Sequence, residues 1–128
     1  MSKFVKSSKI VELDILGNVY KVDFSKDETV KYFGEAAGKI EKLKEEIDAK
    51  EDLSYEEKFN QIFEGTKSIY KDSINSILGD SEASTKIFAE DDTMSFIEDV
   101  YVYITAEYSK TKPSNSEQYS PNRAQRRK

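Results

Sequence analysis

Cysteine and histidine are both absent from the 128 residues of this chain. Zinc sites built from those ligands are therefore excluded, together with disulfide bonds and catalysis by a cysteine thiol. The side chain that most often serves as a general base near neutral pH is also missing, because that role falls to the histidine imidazole. These absences remove several large classes of enzyme and metalloprotein from consideration.

Long apolar segments are absent as well. A membrane-spanning helix needs about 18 or more consecutive apolar residues, and the sequence contains no such run. The first residues, MSKFVKSSKIVELD, carry basic side chains but no apolar stretch of signal-peptide length. We therefore expect a soluble, cytosolic protein with no membrane partner, and a chain of this length predicts a single domain.

Charge is abundant but unevenly distributed. Charged residues make up 35% of the chain, and the formal net charge is −5. Residues 109–128 carry six basic side chains and one acidic side chain, a net of +5, so residues 1–108 carry −10. The last segment is otherwise rich in Ser, Thr, Pro, Asn and Gln, a composition that predicts disorder. We therefore divide the chain into a folded domain over 1–108 and a flexible basic tail over 109–128.

Residues 9–24, KIVELDILGNVYKVDF, have the pattern of a β-hairpin. Apolar and polar residues alternate on both sides of Gly17-Asn18, which suits a two-residue turn with glycine first. With this turn, one face of the hairpin pairs Ile15 with Tyr20, Leu13 with Val22 and Val11 with Phe24. Glu12 then faces Asp23, an unfavourable pair of like charges. An isolated hairpin is marginally stable in water, so its apolar face is expected to pack on another element.

The remaining elements are predicted to be helices, which gives an α+β fold: an N-terminal hairpin packed on a body of three to four helices. Capping-box patterns at Ser25/Glu28 and Ser54/Glu57 begin helices over about residues 26–50 and from residue 54 to Gly79. Asp80 or Ser81 would cap a short helix over 82–89. Asp91-Asp92 would then begin the last helix, because negative charge is favoured at a helix N-terminus.

Two glycines lie in the predicted first helix. Its apolar stripe contains Val30, Phe33, Ala37, Ile40, Leu43 and Ile47. Gly34 and Gly38 each weaken a helix by roughly 1 kcal/mol relative to alanine. Because they lie on the same face as Ala37, they predict that another element crosses closely there.

The last helix carries two apolar stripes. One contains Ile97, Tyr101, Ile104 and Tyr108; the other contains Phe96, Val100 and Tyr103. The segment VYVYIT taken alone resembles a strand, but the spacing of the stripes favours a helix. Two interpretations of the second stripe remain open. Either the helix is central in the core, or Phe96, Val100 and Tyr103 form a surface that binds a partner.

Catalytic and metal-binding motifs are not found. The segment DAKEDLSYEEKF contains closely spaced carboxylates but lacks the central glycine and the ligand order of a calcium loop. The sequence has no glycine-rich phosphate loop and no nucleophile elbow. We therefore expect no enzyme activity, no cofactor and no metal.

The basic end, YSPNRAQRRK, allows three interpretations: a solubilising end, a short motif that binds a protein, or an arm that binds nucleic acid. Arg123, Arg126, Arg127 and Lys128 offer about four phosphate contacts at best, and an acidic body opposes approach to a nucleic acid. We expect Arg123, Arg126 and Arg127 to bind an acidic protein surface, either on a partner or on a neighbouring subunit, and expect no specific nucleic acid binding.

The whole chain resembles the small tail assembly chaperones of long-tailed (siphovirus-type) phages and prophages of Gram-positive bacteria. The similarity lies in the hairpin VELDILGNVYKVDF, the acidic helical body and the ending NRAQRR. The resemblance implies a non-enzymatic protein that binds the tape measure protein and helps to recruit tail tube subunits. It also implies action in the host cytoplasm and absence from the mature virion.

Two alternatives to a chaperone remain. In the first, the protein is a minor structural or connector component of a phage particle. In the second, it is a small regulator that binds nucleic acid through its basic tail. A weak homo-oligomer is also predicted, either through the unpaired outer edges of the two-stranded hairpin or through burial of the second stripe of the last helix.

Overall fold

The structure, a computed structural model, describes residues 9–111. Two antiparallel strands, β1 (Ile10–Ile15) and β2 (Asn18–Asp23), precede the helices α1 (Asp27–Asp48), α2 (Tyr55–Leu78), α3 (Ala83–Ile87) and α4 (Met94–Lys110). This order confirms the predicted α+β fold. The helix α4 includes Ser109 and Lys110, so the boundary expected after residue 108 falls inside a helix. Most of the predicted basic tail, residues 112–128, lies outside the described residues.

The hairpin turns one residue earlier than predicted. Leu13 pairs with Tyr20 and Val11 with Val22, so the two turn residues are Leu16 and Gly17. The shift moves the partner of each residue by two positions along the opposite strand. Because side chains two positions apart share a face, every side chain keeps its predicted face. Glu12 now faces Lys21, with 4.0 Å between the charged groups, and the predicted conflict with Asp23 does not arise.

Side chains next to the turn explain the observed register. The Gly17 amide donates a hydrogen bond to Asp14 Oδ1 at 2.9 Å, and Asn18 Nδ2 donates to the Ile15 carbonyl at 3.3 Å. Both turn residues have positive φ, 54° at Leu16 and 86° at Gly17, which matches the twist of a two-residue hairpin. The predicted register was wrong because these local hydrogen bonds outweigh the preference of leucine for negative φ.

The capping box predicted at Ser25 and Glu28 was also wrong. The helix α1 begins after Lys26, and no side chain caps its first turn. Ser25 instead donates both its amide, at 2.9 Å, and its hydroxyl, at 2.5 Å, to Asp23 Oδ1. Asp23 thus forms a local turn at the end of β2 that takes the hydroxyl away from the helix.

The inward face of α1 contains Ala36 in place of the predicted Ala37. Ala36 is buried and Ala37 is exposed. Gly34 and Gly38 also lie outward, and a Cβ on either would have no neighbour within 4 Å. The close crossing predicted at these glycines was therefore wrong. It occurs at Gly65 of α2, where a Cβ would lie 2.6 Å from Leu43 Cδ2.

Both predicted ends of α2 are confirmed. Ser54 Oγ accepts from the Glu57 amide at 3.1 Å, and the Ser54 amide donates to Glu57 Oε1 at 2.8 Å. Gly79 ends the helix in the left-handed conformation, with φ of 69°. Only glycine adopts that conformation without a steric penalty from Cβ.

The short helix α3 is smaller than predicted and has no side-chain cap. Asp80 Oδ1 accepts from the Glu82 amide at 2.9 Å, which forms the turn that precedes it. Asn75 of α2 holds the helix, because its Oδ1 accepts from the Ser84 amide at 2.7 Å. The cap of α4 is Thr93, whose Oγ1 accepts from the Phe96 amide at 3.3 Å.

One hydrophobic core joins the hairpin to α2, α3 and α4. Its least exposed large side chains are Leu13, Ile74, Ile87, Ile97 and Ile104. The stripe of α4 predicted from Ile97, Tyr101, Ile104 and Tyr108 faces this core, with both isoleucines fully buried. No member of the core cluster lies between residues 34 and 69. The outer halves of α1 and α2 therefore project from the body as a helical arm.

Candidate functional site: an apolar groove between the hairpin turn and α4

A groove of about 230 Å³ lies where the hairpin turn meets the first half of α4. Its lining comprises Asp14, Ile15, Leu16, Phe96, Asp99, Val100 and Tyr103. A cavity of roughly 150 Å³ accommodates benzene, so the groove has room for an aromatic or large aliphatic side chain. Two carboxylates, from Asp14 and Asp99, are the charged groups of this lining.

Leu16 has the most unusual backbone of the groove. It is a leucine with φ of 54°, and the residue is 68% exposed. The left-handed region costs a residue with a Cβ about 1–2 kcal/mol, and an exposed leucine recovers little of that by burial. Strained backbone that carries an exposed apolar side chain is a feature of binding sites.

Leu16 and Phe96 also line a second groove, of about 320 Å³. Its polar lining includes Lys86 and Asp91. Lys86 Nζ donates to Asp80 Oδ2 at 3.1 Å. Two hydrogen bonds lower the pKa of Asp80. The bond from the Glu82 amide has the larger effect, and the bond from Lys86 has the next largest. The two apolar side chains therefore form a ridge with an apolar groove on one side and a more polar groove on the other.

The fold brings together the three residues of α4 that were predicted to bind a partner, but it exposes them unequally. Val100 is 5% exposed and belongs to the core. Phe96 is half-buried and packs edge-on against Phe88, with ring centroids 5.5 Å apart. Tyr103 is 38% exposed. Val100 thus forms the floor of the groove, and Tyr103 is the one of the three that a partner would reach most easily.

The other predicted site residues, Arg123, Arg126 and Arg127, lie outside the described residues. Sequence reasoning missed Leu16, Asp14 and Asp99. Asp14 could have indicated that Leu16 lies in the turn. An aspartate side chain accepts hydrogen bonds from nearby backbone amides, here that of Gly17, and so favours a turn over the residues between them.

An ion pair between helices positions the start of α4. Asp92 accepts a charged hydrogen bond from Lys71 of α2, and Lys67 Nζ lies 3.7 Å from the same carboxylate. The hydrogen bond from Lys71 is the main reason that the pKa of Asp92 lies below its usual value. Asp92 therefore acts mainly as a link to α2, a role that the sequence did not reveal when it predicted a helix start at Asp91-Asp92.

Within residues 9–111, no group of three or more acidic side chains is arranged to hold a metal ion. In the same part of the chain, no helix combines the length and apolar character needed to cross a membrane. The groove offers apolar surface with carboxylates at its edge, an arrangement suited to binding a side chain.

Comparison with known proteins identifies a family but no characterised relative. No curated protein and no solved structure matches the chain at a significant level. A family of unknown function, DUF6673, matches residues 16–128. The match starts at the hairpin turn, includes all four helices and continues through the basic end. The chain therefore belongs to the DUF6673 family.

Proposed function

We propose that this protein is a non-enzymatic tail assembly chaperone, which binds the tape measure protein of a long-tailed phage or prophage and helps to recruit tail tube subunits. The proposal rests on the sequence resemblance and on one structural observation, the apolar groove beside the strained Leu16 turn. In this proposal the protein acts in the host cytoplasm and is not part of the mature virion.

The groove defines the chemistry of the bound segment. Its floor accepts a large apolar side chain, and Asp14 and Asp99 would pair with a basic residue next to that side chain. A helix with an apolar stripe flanked by lysine or arginine has both features. A tape measure protein is a long helical protein and would present such stripes repeatedly during assembly.

Binding to fragments of the tape measure protein from the same phage tests the proposal. Leu16→Ser and Tyr103→Ser remove exposed apolar groups from the groove, and we expect each to weaken capture of the fragment by about tenfold, or roughly 1.4 kcal/mol. Val19→Ser is the matched control, because Val19 is an exposed apolar residue of the hairpin that does not line the groove. Equal binding by all three variants would contradict the proposal.

Gene deletion gives a second test. Loss of a chaperone should produce particles without tails, while the protein is undetectable in purified wild-type virions. A fixed number of copies in each virion would instead identify a minor structural component.

A weak homo-oligomer, formed through the hairpin edges, is also part of the proposal. Sedimentation that shows a strict monomer up to high concentration would contradict it.

A further inference from the structure

The helical arm carries exposed aromatic side chains away from the core. We define the arm as residues 40–66, the outer parts of α1 and α2 with their connection. Tyr55 is 86% exposed and Phe59 is 55% exposed. Phe59 stacks on Phe63, with centroids 5.8 Å apart. Because the three residues are four positions apart on α2, they form one aromatic face.

A cation already lies at the inner end of this face. Lys67 Nζ is 6.0 Å from the centroid of the Phe63 ring, within the usual range of a cation–π contact. Lys58 lies three residues after Tyr55, but its Nζ donates to the Asp48 carbonyl at 3.0 Å, and one turn after Phe59 stand Ile62 and Phe63. The face therefore favours cations and leaves its outer half open to one.

The arm also carries a net negative charge. Residues 40–66 contain nine acidic side chains and four lysines, a net charge of −5. Residues 112–128 contain five basic side chains and one glutamate, a net charge of +4. The basic segment therefore has the opposite charge to the arm; residues 80–107 are also acidic, with a net charge of −7. The family match includes both segments.

The distances allow both segments to meet within one molecule. Near the end of α4, Tyr108 stacks on Phe33 of α1, with centroids 5.2 Å apart. From Phe33 the helix α1 extends about 22 Å to Asp48, and Lys58 Nζ, next to Phe59, donates to the Asp48 carbonyl at 3.0 Å. The twelve residues from Thr111 to Arg123 span up to about 40 Å.

We propose that the basic segment 112–128 binds its own helical arm, with Arg123, Arg126 and Arg127 over the aromatic face of Phe59 and Tyr55 and paired with the surrounding carboxylates. Arginine suits this surface because its guanidinium stacks on an aromatic ring while it donates to carboxylates. Intramolecular binding has an effective concentration in the millimolar range, which offsets the weakness of each contact. The arm is thus the acidic surface that the three arginines recognise.

Paramagnetic relaxation in the full-length protein tests this contact. The chain has no cysteine, so Ser120→Cys introduces one site for a spin label. We expect loss of amide signal at Tyr55, Phe59 and Phe63, and recovery of that signal in high salt. The same label combined with Arg123→Gln, Arg126→Gln and Arg127→Gln should leave the arm signals unchanged from the diamagnetic protein.

Matched surface variants locate the contact. Tyr55→Ser with Phe59→Ser should abolish the signal loss in the arm, whereas Tyr103→Ser, at the groove, should preserve it. These positions are exposed, and an unchanged unfolding midpoint would verify that each variant folds. The measurement needs no tape measure protein, so its outcome is independent of the chaperone assignment.

Three results would overturn the proposal. Signal loss at Leu16 and Tyr103 would assign the basic segment to the groove. Signal loss of the same size in isotope-labelled chains that carry no spin label, after mixing with separate spin-labelled chains, would assign it to a second copy. No signal loss at low salt would show that the segment does not bind the body.

Discussion

Gly65 of α2 lies so close to Leu43 of α1 that a Cβ at residue 65 would come within 2.6 Å of Leu43 Cδ2. This contact lies within the arm, away from the core cluster. A glycine inside a helix costs about 1 kcal/mol relative to alanine. Here the glycine lets the two helices approach each other closely outside the core cluster.

Replacement of Gly65 tests the role of this contact. Gly38→Ala adds a methyl group in open space, so we expect it to stabilise the protein by up to about 1 kcal/mol. Gly65→Ala gains the same helix propensity but displaces the Leu43 side chain, and we expect it to be at least about 1 kcal/mol less stable than Gly38→Ala. Urea unfolding measures both. Equal effects of the two substitutions would show that the arm does not depend on a close crossing.

Removal of the Tyr20 hydroxyl should be neutral or stabilising. Among the described residues this hydroxyl is buried without a hydrogen-bond partner, and burial raises the pKa of Tyr20. Tyr20→Phe removes the unpaired group, for an expected change between 0 and about +1 kcal/mol in the free energy of unfolding. The control is Thr93→Val, which loses the hydrogen bond from the Phe96 amide to Thr93 Oγ1 and should cost about 1 kcal/mol. A larger loss at residue 20 than at 93 would reveal a partner for the Tyr20 hydroxyl.

The Asp92 ion pair should contribute to stability at neutral pH and lose that contribution in acid. Lys71 lowers the pKa of Asp92 in the folded protein, while the unfolded value is about 3.9. The folded state therefore binds fewer protons, so the contribution is complete above the unfolded pKa and declines as the pH falls through the folded pKa. Because Asp92 is half-exposed, we expect Asp92→Asn to cost less than about 1 kcal/mol at pH 7. The difference from wild type should shrink below about pH 4; a constant difference would contradict the assignment.

Leu16 is expected to lower the stability of the fold and to strengthen binding of the partner segment. Asparagine tolerates positive φ better than leucine does, and Asn-Gly is favoured in this type of turn. We expect Leu16→Asn to raise the free energy of unfolding by about 0.5–1 kcal/mol while it weakens capture of the partner segment. Thermal unfolding and binding measured on the same sample separate these effects. A variant with lower stability would show that the leucine side chain supports the fold.

Patterns within a few residues of each other predicted much of the fold. Ser54 and Glu57 cap α2 and Gly79 ends it because each acts on backbone groups less than one turn away. The alternation in the hairpin and the stripe of Ile97 and Ile104 gave the buried faces, because the period of a strand or helix fixes which side chains share a side.

Competition between neighbouring polar groups was harder to predict. Ser25 had the spacing of an N-cap, but Asp23 binds its hydroxyl. Likewise, the hydrogen bond from the Gly17 amide to Asp14 decides the position of the turn. Both alternatives satisfy similar numbers of hydrogen bonds, so the sequence pattern alone does not rank them.

The sequence by itself determined the α+β class, the uneven charge and the apolar faces, because these depend on composition and on local periodicity. Only the tertiary structure placed Leu16 beside Tyr103, linked Asp92 to Lys71 and separated the arm from the core. Each of these relations joins residues that are distant in the chain, and their geometry depends on how whole helices pack. For that reason the groove is defined only by the packing of the hairpin turn against α4.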